Sequence, residues 1–350
     1  MIESKYTIAI PPGATIKEQL DERRMSQKEF AIRMGLSEKH ISRLINGEVQ
    51  LTADVAVKLE MVLGLPAKFW NKLEANYREK IVKVNEENEM SEDMEILKKL
   101  PYNEMVKYGW IEKTIKEEEK VIYLRKYFEV VSLKLILNSK INKIACRKLS
   151  NTEKSDYALI AWVQKAKLEA RNIETKSINL KKLKENLEII RQMTLVSPEE
   201  FSPRLSSILS ECGIALVFLP HISGSFLHGA TFYDGKKIVM GLTIRGKDAD
   251  KFWFSLFHEL GHILNKHIEK IDGTDEKDEN IADDFARQSL IDQEKYDNFI
   301  MKNNFSKDDI ITFANSINIA PGIVIGRLQK EEIIGYNKYN ELKVKYKLGA

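Results

Sequence analysis

Residues 25–49 read MSQKEFAIRMGLSEKHISRLINGEV, and three positions in that run fix a geometry. Two short helices that cross closely through a tight turn need a small residue at their contact. They also need a residue tolerant of positive φ in the turn and apolar residues on the inner side of the second helix. Ala31, Gly35 and Ile41 meet these demands, with Leu36 and Leu44 completing the apolar side. The spacing predicts a helix-turn-helix. Glu38, Lys39, His40, Ser42 and Arg43 then lie at the start of the second helix, where polar side chains reach base edges in a major groove. Gln27, at the N-terminus of the first helix, is placed to meet a phosphate.

The surroundings fit a compact helical bundle over residues 1–78. Thr15 with Glu18, and Ser26 with Glu29, match the reciprocal capping pattern of helix starts. Ser37 and Thr52 precede the next two helices, and residues 46–51 form a turn between them. Lys58 and Lys68 are further candidates for phosphate contact, against the plainer reading of solvated lysines. Residues 80–99, KIVKVNEENEMSEDMEILKK, are dense in charge and read as a solvated helix or linker. Residues 101–200 carry apolar residues at helical spacing. Strand signals begin only after residue 210. GIALVFLP (213–220) is a short apolar run ended by proline, and ATFYDGKKIVMGLTI (230–244) reads as a hairpin turning at Asp234 and Gly235. Helices return to about residue 330. The expected fold class is mainly α with a small β-sheet (α+β).

Composition narrows the class. A chain of 350 residues, 43% hydrophobic and 31% charged, is expected to be a soluble protein of two or three domains. No apolar run approaches a membrane span, and the N-terminus lacks the basic-then-apolar layout of a signal peptide. Cys146 and Cys212 form no metal or redox motif and are expected to be reduced thiols in a cytoplasm. The net charge of +3 means that any basic surface must be local.

The other chemistry-bearing run is KFWFSLFHELGHIL, residues 251–264. A helix beginning near Asp248 puts His258 and His262 one turn apart on one face, so both imidazoles reach one ion. Trp253, Phe257, Leu260 and Leu264 form the opposite, inward stripe. Gly261 costs roughly 1 kcal/mol relative to alanine inside a helix, which is explained if a neighbouring backbone or a substrate passes close by. Glu259 points toward the ion without ligating it, where it can take a proton from water and hand it to a leaving amine. A hydrolytic zinc needs a third protein ligand and one open position. Downstream, DEKDENIADDFARQSLI offers Asp275, Glu276, Asp278, Glu279, Asp283 and Asp284. Glu279 is the choice for the ligand, because it shares a face with Ala282 and Ala286, whose small side chains admit a close helix. Asp283, one turn on, is placed to accept a hydrogen bond from a ligand imidazole. Asp275 and Asp278 read as solvated helix-start residues, and His267 as a helix-end residue out of register. An oxyanion donor is left open among His221, His228, Tyr233 and Arg245.

Two family resemblances attach to these residues. IPPGATIKEQL and the run from residue 25 to 77 resemble the Xre-type repressor domain, in its HigA-like antitoxin branch. That resemblance implies a five-helix fold binding palindromic DNA as a homodimer. HELGH, ENIADDFA and the flanking segments over about 205–330 resemble the ImmA/IrrE zinc metallopeptidases. It implies zinc on His258, His262 and Glu279, Glu259 as the base, and a small sheet beside the active helix. A substrate strand would add along its edge, which by analogy is KKIVMGLTI. Where that family often reads Leu-Leu-x-Pro after its second motif, this chain has SLIDQ.

The expected domains are a helix-turn-helix DNA-binding domain at 1–78, a helical linker region at 79–204 and a metallopeptidase domain at 205–350. The expected activity is that of a DNA-binding regulator whose zinc endopeptidase cleaves an Xre-type repressor or its own linker at 80–100. The alternative is an antitoxin and autorepressor with a toxin partner, its zincin fold a non-catalytic scaffold.

Overall fold

The computed structural model describes residues 2–4, 6–137, 153–223, 229–243, 248–270 and 274–346. His228, Arg245 and Cys146 lie outside them. The fold is mainly α with small two- and three-stranded sheets, as the sequence predicts. The chain forms two compact units, Met1–Glu95 and Ile96–Ala350.

The first unit opens with a two-stranded antiparallel ribbon, β1 (Ile2–Glu3) and β2 (Ile8–Ala9). Five helices follow: α1 (Pro12–Glu22), α2 (Gln27–Met34), α3 (Glu38–Ile45), α4 (Ala53–Leu63) and α5 (Ala67–Leu97). Ser26, Ser37 and Thr52 cap α2, α3 and α4, each side chain accepting a backbone N–H three residues on. Thr15 caps nothing: α1 begins at Pro12, whose fixed φ and missing N–H suit the first helical position. Glu29 engages Arg33 one turn on, so its capping pair with Ser26 is one-sided. Gly35 ends α2 at φ 64°, a left-handed conformation open to glycine at little cost. It turns the chain so that Ala31, Ile41 and Leu44 meet Phe30, Leu59 and Trp70 in one core. The charge-dense run after residue 78 continues α5, its Val84 packing with Ala9 and Tyr77 beneath the ribbon. Thr7 Oγ1 donates to Glu87 Oε1 at 3.0 Å.

The second unit contains α6 (Tyr102–Lys107), α7 (Glu117–Phe128), α8 (Glu153–Ala170), α9 (Leu180–Gln192) and α10 (Pro198–Glu211). Three strands follow, β3 (Ile214–Leu219), β4 (Gly229–Asp234) and β5 (Lys237–Thr243), then α11 (Ala249–Leu264) and α12 (Glu276–Leu290). The unit ends with α13 (Gln293–Met301), α14 (Lys307–Ser316) and α15 (Pro321–Lys330). The sheet order is β3-β5-β4, with β3 parallel and β4 antiparallel to β5. Asp234 pairs with Lys237, so the hairpin turns on Gly235 and Lys236 and Asp234 ends a strand. The KKIVMGLTI strand is central, not an edge; β3 and β4 flank it. Its seven residues are almost wholly buried, as a strand covered on both faces must be.

Alternation along β5 sends Ile238, Met240 and Leu242 toward the core shared with α10 and α11, and Val239 toward α8. A Cβ on Gly241 would lie 2.6 Å from the Trp162 ring, so a bare backbone there admits the indole of α8. Trp162 Nε1 donates to the Pro220 carbonyl at 3.0 Å. Within the segment expected as a linker, 79–204, α8 thus supplies one cover of the sheet. The expected boundaries at 78 and 204 fall inside α5 and α10. A C-terminal strap fixes the start of α11: Lys343 Nζ pairs with Asp250 Oδ2 at 2.8 Å, and Trp253 Nε1 donates to Tyr346 Oη at 2.8 Å. Among the described residues no single helix is long and apolar enough to cross a membrane.

Candidate functional site

The histidine helix α11 begins after Asp248, as the sequence predicts, and buries Trp253, Phe257 and Leu260. Its other face meets α12 closely. A Cβ at Gly261 would lie 3.1 Å from Ala282 Cα and 3.3 Å from Ala282 O, so the glycine and the fully buried Ala282 let the two backbones approach. That approach carries Glu279, in the first turn of α12, to the histidines.

His258 Nε2 and His262 Nε2 are 3.0 Å apart. Glu279 places Oε2 3.4 Å from the first and Oε1 3.6 Å from the second. Ligand bonds of about 2.05 Å in a tetrahedron separate the donor atoms by roughly 3.3 Å. The two imidazoles stand near that distance from each other, and each stands near it from one of the two Glu279 oxygens, so the donor set fits a zinc-sized ion. Among the described residues these three form the one grouping of this kind.

The supports are hydrogen bonds. His258 Nδ1 lies 2.7 Å from Asp283 Oδ1, the contact expected of Asp283. Thr274 Oγ1 donates to Glu279 Oε1 at 2.7 Å. Burial disfavours a charged His258, but its bonds to Asp283 and Glu279 outweigh that and push its pKa up to about 10. Burial and the neighbouring His258 charge bring His262 down to about 4. Burial would raise Glu279, yet the bonds from His258 and Thr274 hold it below the usual carboxylate range. Without metal the cluster therefore keeps a proton on His258, which a divalent cation would displace.

Glu259 is 6% exposed, on the side of α11 that faces β4. Thr231 Oγ1 donates a short hydrogen bond to Glu259 Oε2, and a Cβ on Gly229 would lie 2.8 Å from Oε1. Burial pushes the Glu259 pKa up to about 7, against the pull of His258 and of the Thr231 bond. It is not among the grouped ligands. A buried carboxyl poised near neutrality beside a cation site suits proton transfer.

Two sequence readings change here. Asp278 is buried, not solvated: Lys270 Nζ and the Asp275 N–H both bond its Oδ2. Asp275 caps α12 in a reciprocal capping box with Asp278. His267 is buried against His262, their Nδ1 atoms 3.0 Å apart. Lys266, at φ 60°, reverses the chain after α11 and brings His267 back to the cluster. Helical periodicity cannot forecast a contact made beyond the helix end. Thr231 and Thr274 also carried no sequence signal for these contacts. Of the candidate oxyanion donors, Tyr233 lies on β4 and His221 accepts the Tyr108 hydroxyl proton at its carbonyl.

In the first unit, Gln27, Glu38, Lys39, Ser42 and Arg43 are exposed at the positions expected of them. Arg43 Nε lies 3.5 Å from Glu48, an exposed pair that a phosphate or base can replace. His40 is half-buried, and its Nε2 finds no hydrogen-bond partner among the described residues. Lys58 is paired with Asp54 at 2.9 Å and Lys68 is exposed.

Residues 16–70 match the family model described as Helix-turn-helix, HTH_3. Over 63 residues the chain is 40% identical to the uncharacterized HTH-type transcriptional regulator YddM of Escherichia coli (strain K12), a stretch covering 18% of this chain and 67% of that protein. With the αL turn at Gly35 and the exposed face of α3, these matches identify the chain as a member of the helix-turn-helix family of HTH-type transcriptional regulators.

Proposed function

We propose that this DNA-binding regulator carries a zinc-dependent endopeptidase in its second unit, acting on a repressor-type protein or on its own 80–100 segment. The observation that carries the reading is the convergence of His258, His262 and Glu279 donor atoms within 4.8 Å of one another, with Glu259 buried beside them. Zinc held there would supply Lewis-acid polarisation of a peptide carbonyl and of a water. Glu259 takes the proton of the attacking water and returns it to the leaving amine. Thr231 and Gly229 fix the rotation of that carboxylate. Both lie on β4, so the substrate backbone would run along β4, and not along the central β5.

The α3 face presents its polar side chains to a palindromic operator, bound by a homodimer with one α3 per half-site. Cleavage between the two units would part the DNA reader from the rest of the chain and release the operator. The test is incubation of the zinc-loaded protein with its own Glu259→Gln variant and with helix-turn-helix repressors encoded nearby, followed by mass spectrometry of fragments. Defined fragments produced by the wild type and not by Glu259→Gln are expected. No fragments from any of these proteins, with zinc bound, would leave the second unit as a binding scaffold such as an antitoxin requires.

A further inference from the structure

We propose that His267 and Asp278 form a positioning relay that fixes His262 as the Nδ1–H tautomer and so aims its Nε2 lone pair at the metal. The proposal rests on the zinc reading above and adds residues that the HExxH pattern does not contain. Three contacts build it. His262 Nδ1 and His267 Nδ1 are 3.0 Å apart. His267 Nε2 is 3.5 Å from Asp278 Oδ1. Asp278 Oδ2 is taken by Lys270 Nζ and the Asp275 N–H, which leaves Oδ1 for the histidine. His262, His267 and Asp278 are all buried.

The proton directions follow from the acceptor at the end of the chain. The Asp278 carboxylate, 3.5 Å away and beyond a normal hydrogen bond, favours by its charge the His267 tautomer with its proton on Nε2, the nitrogen that faces it. In a neutral ring the other nitrogen, Nδ1, is then an acceptor. Only one proton can occupy the 3.0 Å gap between the two Nδ1 atoms, and it must come from His262. His262 Nε2 is left unprotonated and faces His258 and Glu279. The reverse direction would put a proton on His262 Nε2, pointing into the space an ion would fill, and would leave the Asp278 oxygen facing a bare ring nitrogen. Asp283 does the same for His258 by direct contact. His262 is reached through an intervening imidazole because α12 presents Asp278 to His267 and not to the ligand. Partners of this kind commonly set metal affinity by about 10–100-fold.

The experiment uses the full chain, as wild type, His267→Leu, His267→Asn and His258→Ala. Zinc affinity is measured by chelator competition, and the His262 tautomer is read in the metal-free protein from ring-nitrogen NMR shifts. Asn places an acceptor oxygen where His267 Nδ1 sits. Wild type should show His262 protonated on Nδ1. His267→Leu should lose about 10–100-fold in zinc affinity and mix the tautomers, while His267→Asn should recover most of both. Equal affinity and an unchanged tautomer in His267→Leu, or wild-type His262 protonated on Nε2, would overturn the relay. If His267→Leu fails to fold, the wild-type tautomer and the His267→Asn affinity still decide. Wild type that takes up no more zinc than His258→Ala would instead overturn the metal reading, with the tautomer still testing the relay.

Discussion

Asp283 Oδ1 lies 2.7 Å from His258 Nδ1, one helical turn beyond Glu279 on the same face of α12. One helix thus delivers both a proposed metal ligand, Glu279, and the carboxylate that orients another, His258. Asp283→Asn should keep the fold and weaken zinc binding by about 10–100-fold, measured by chelator competition on the full chain. Unchanged affinity would show that His258 is oriented by packing alone.

Gly261 tests the helix contact that brings Glu279 in. Alanine there gains roughly 1 kcal/mol of helix propensity. Its Cβ, however, would meet Ala282 backbone atoms at 3.1 and 3.3 Å and the Phe285 ring at 3.1 Å, so the α12 backbone would have to give by a few tenths of an ångström. Gly261→Ala is therefore expected to destabilise by about 1–3 kcal/mol through overpacking, with zinc affinity falling as α12 shifts. Denaturant melts check the first effect and chelator competition the second. A stabilised variant with normal zinc binding would mean that α12 yields without cost.

Thr231 is the donor to a carboxylate that is 6% exposed. Thr231→Val keeps the side-chain volume and removes the hydroxyl, leaving a buried acceptor short of a partner at about 1–3 kcal/mol. Stability should fall by that order and fragment production should slow, while zinc content stays at one per chain. Thr231→Ser should restore both, since it keeps the hydroxyl. A Thr231→Val protein that yields fragments as fast as wild type would show that Glu259 needs no holding.

Full-length protein should bind the region upstream of its own gene with an affinity that falls steeply as salt rises, because phosphate contacts release counterions. Ser42→Ala and Arg43→Ala, both changes on the exposed face of α3, should reduce sequence preference without unfolding the unit. Gel shifts across a salt series, against random DNA of equal length, provide the check. Equal binding to both DNAs at all salt concentrations would remove α3 as the reading element.

Local chemistry made much of this protein legible in its sequence. Ala31, Gly35 and Ile41 specify a tight helix crossing because only small, φ-tolerant and apolar residues satisfy those three positions. His258 and His262 share a face because a helix repeats every 3.6 residues. Glu279 and Asp283 follow from the same periodicity on the next helix, and Gly261 signalled a close approach by a backbone or a substrate, which Ala282 turns out to make. Tertiary structure decided what periodicity cannot carry. Strand order made β5 central and put β4 beside Glu259, since pairing among three short apolar strands depends on which helices cover each face. Helix α8 became a cover for the sheet because Trp162 finds its space over Gly241, a partner 79 positions away. His267 and Asp278 came to the grouping of His258, His262 and Glu279 because the chain turns at Lys266, whose φ is 60°, and α12 packs against α11. Such contacts are set by where two elements meet in space, and no repeat in either element encodes the meeting.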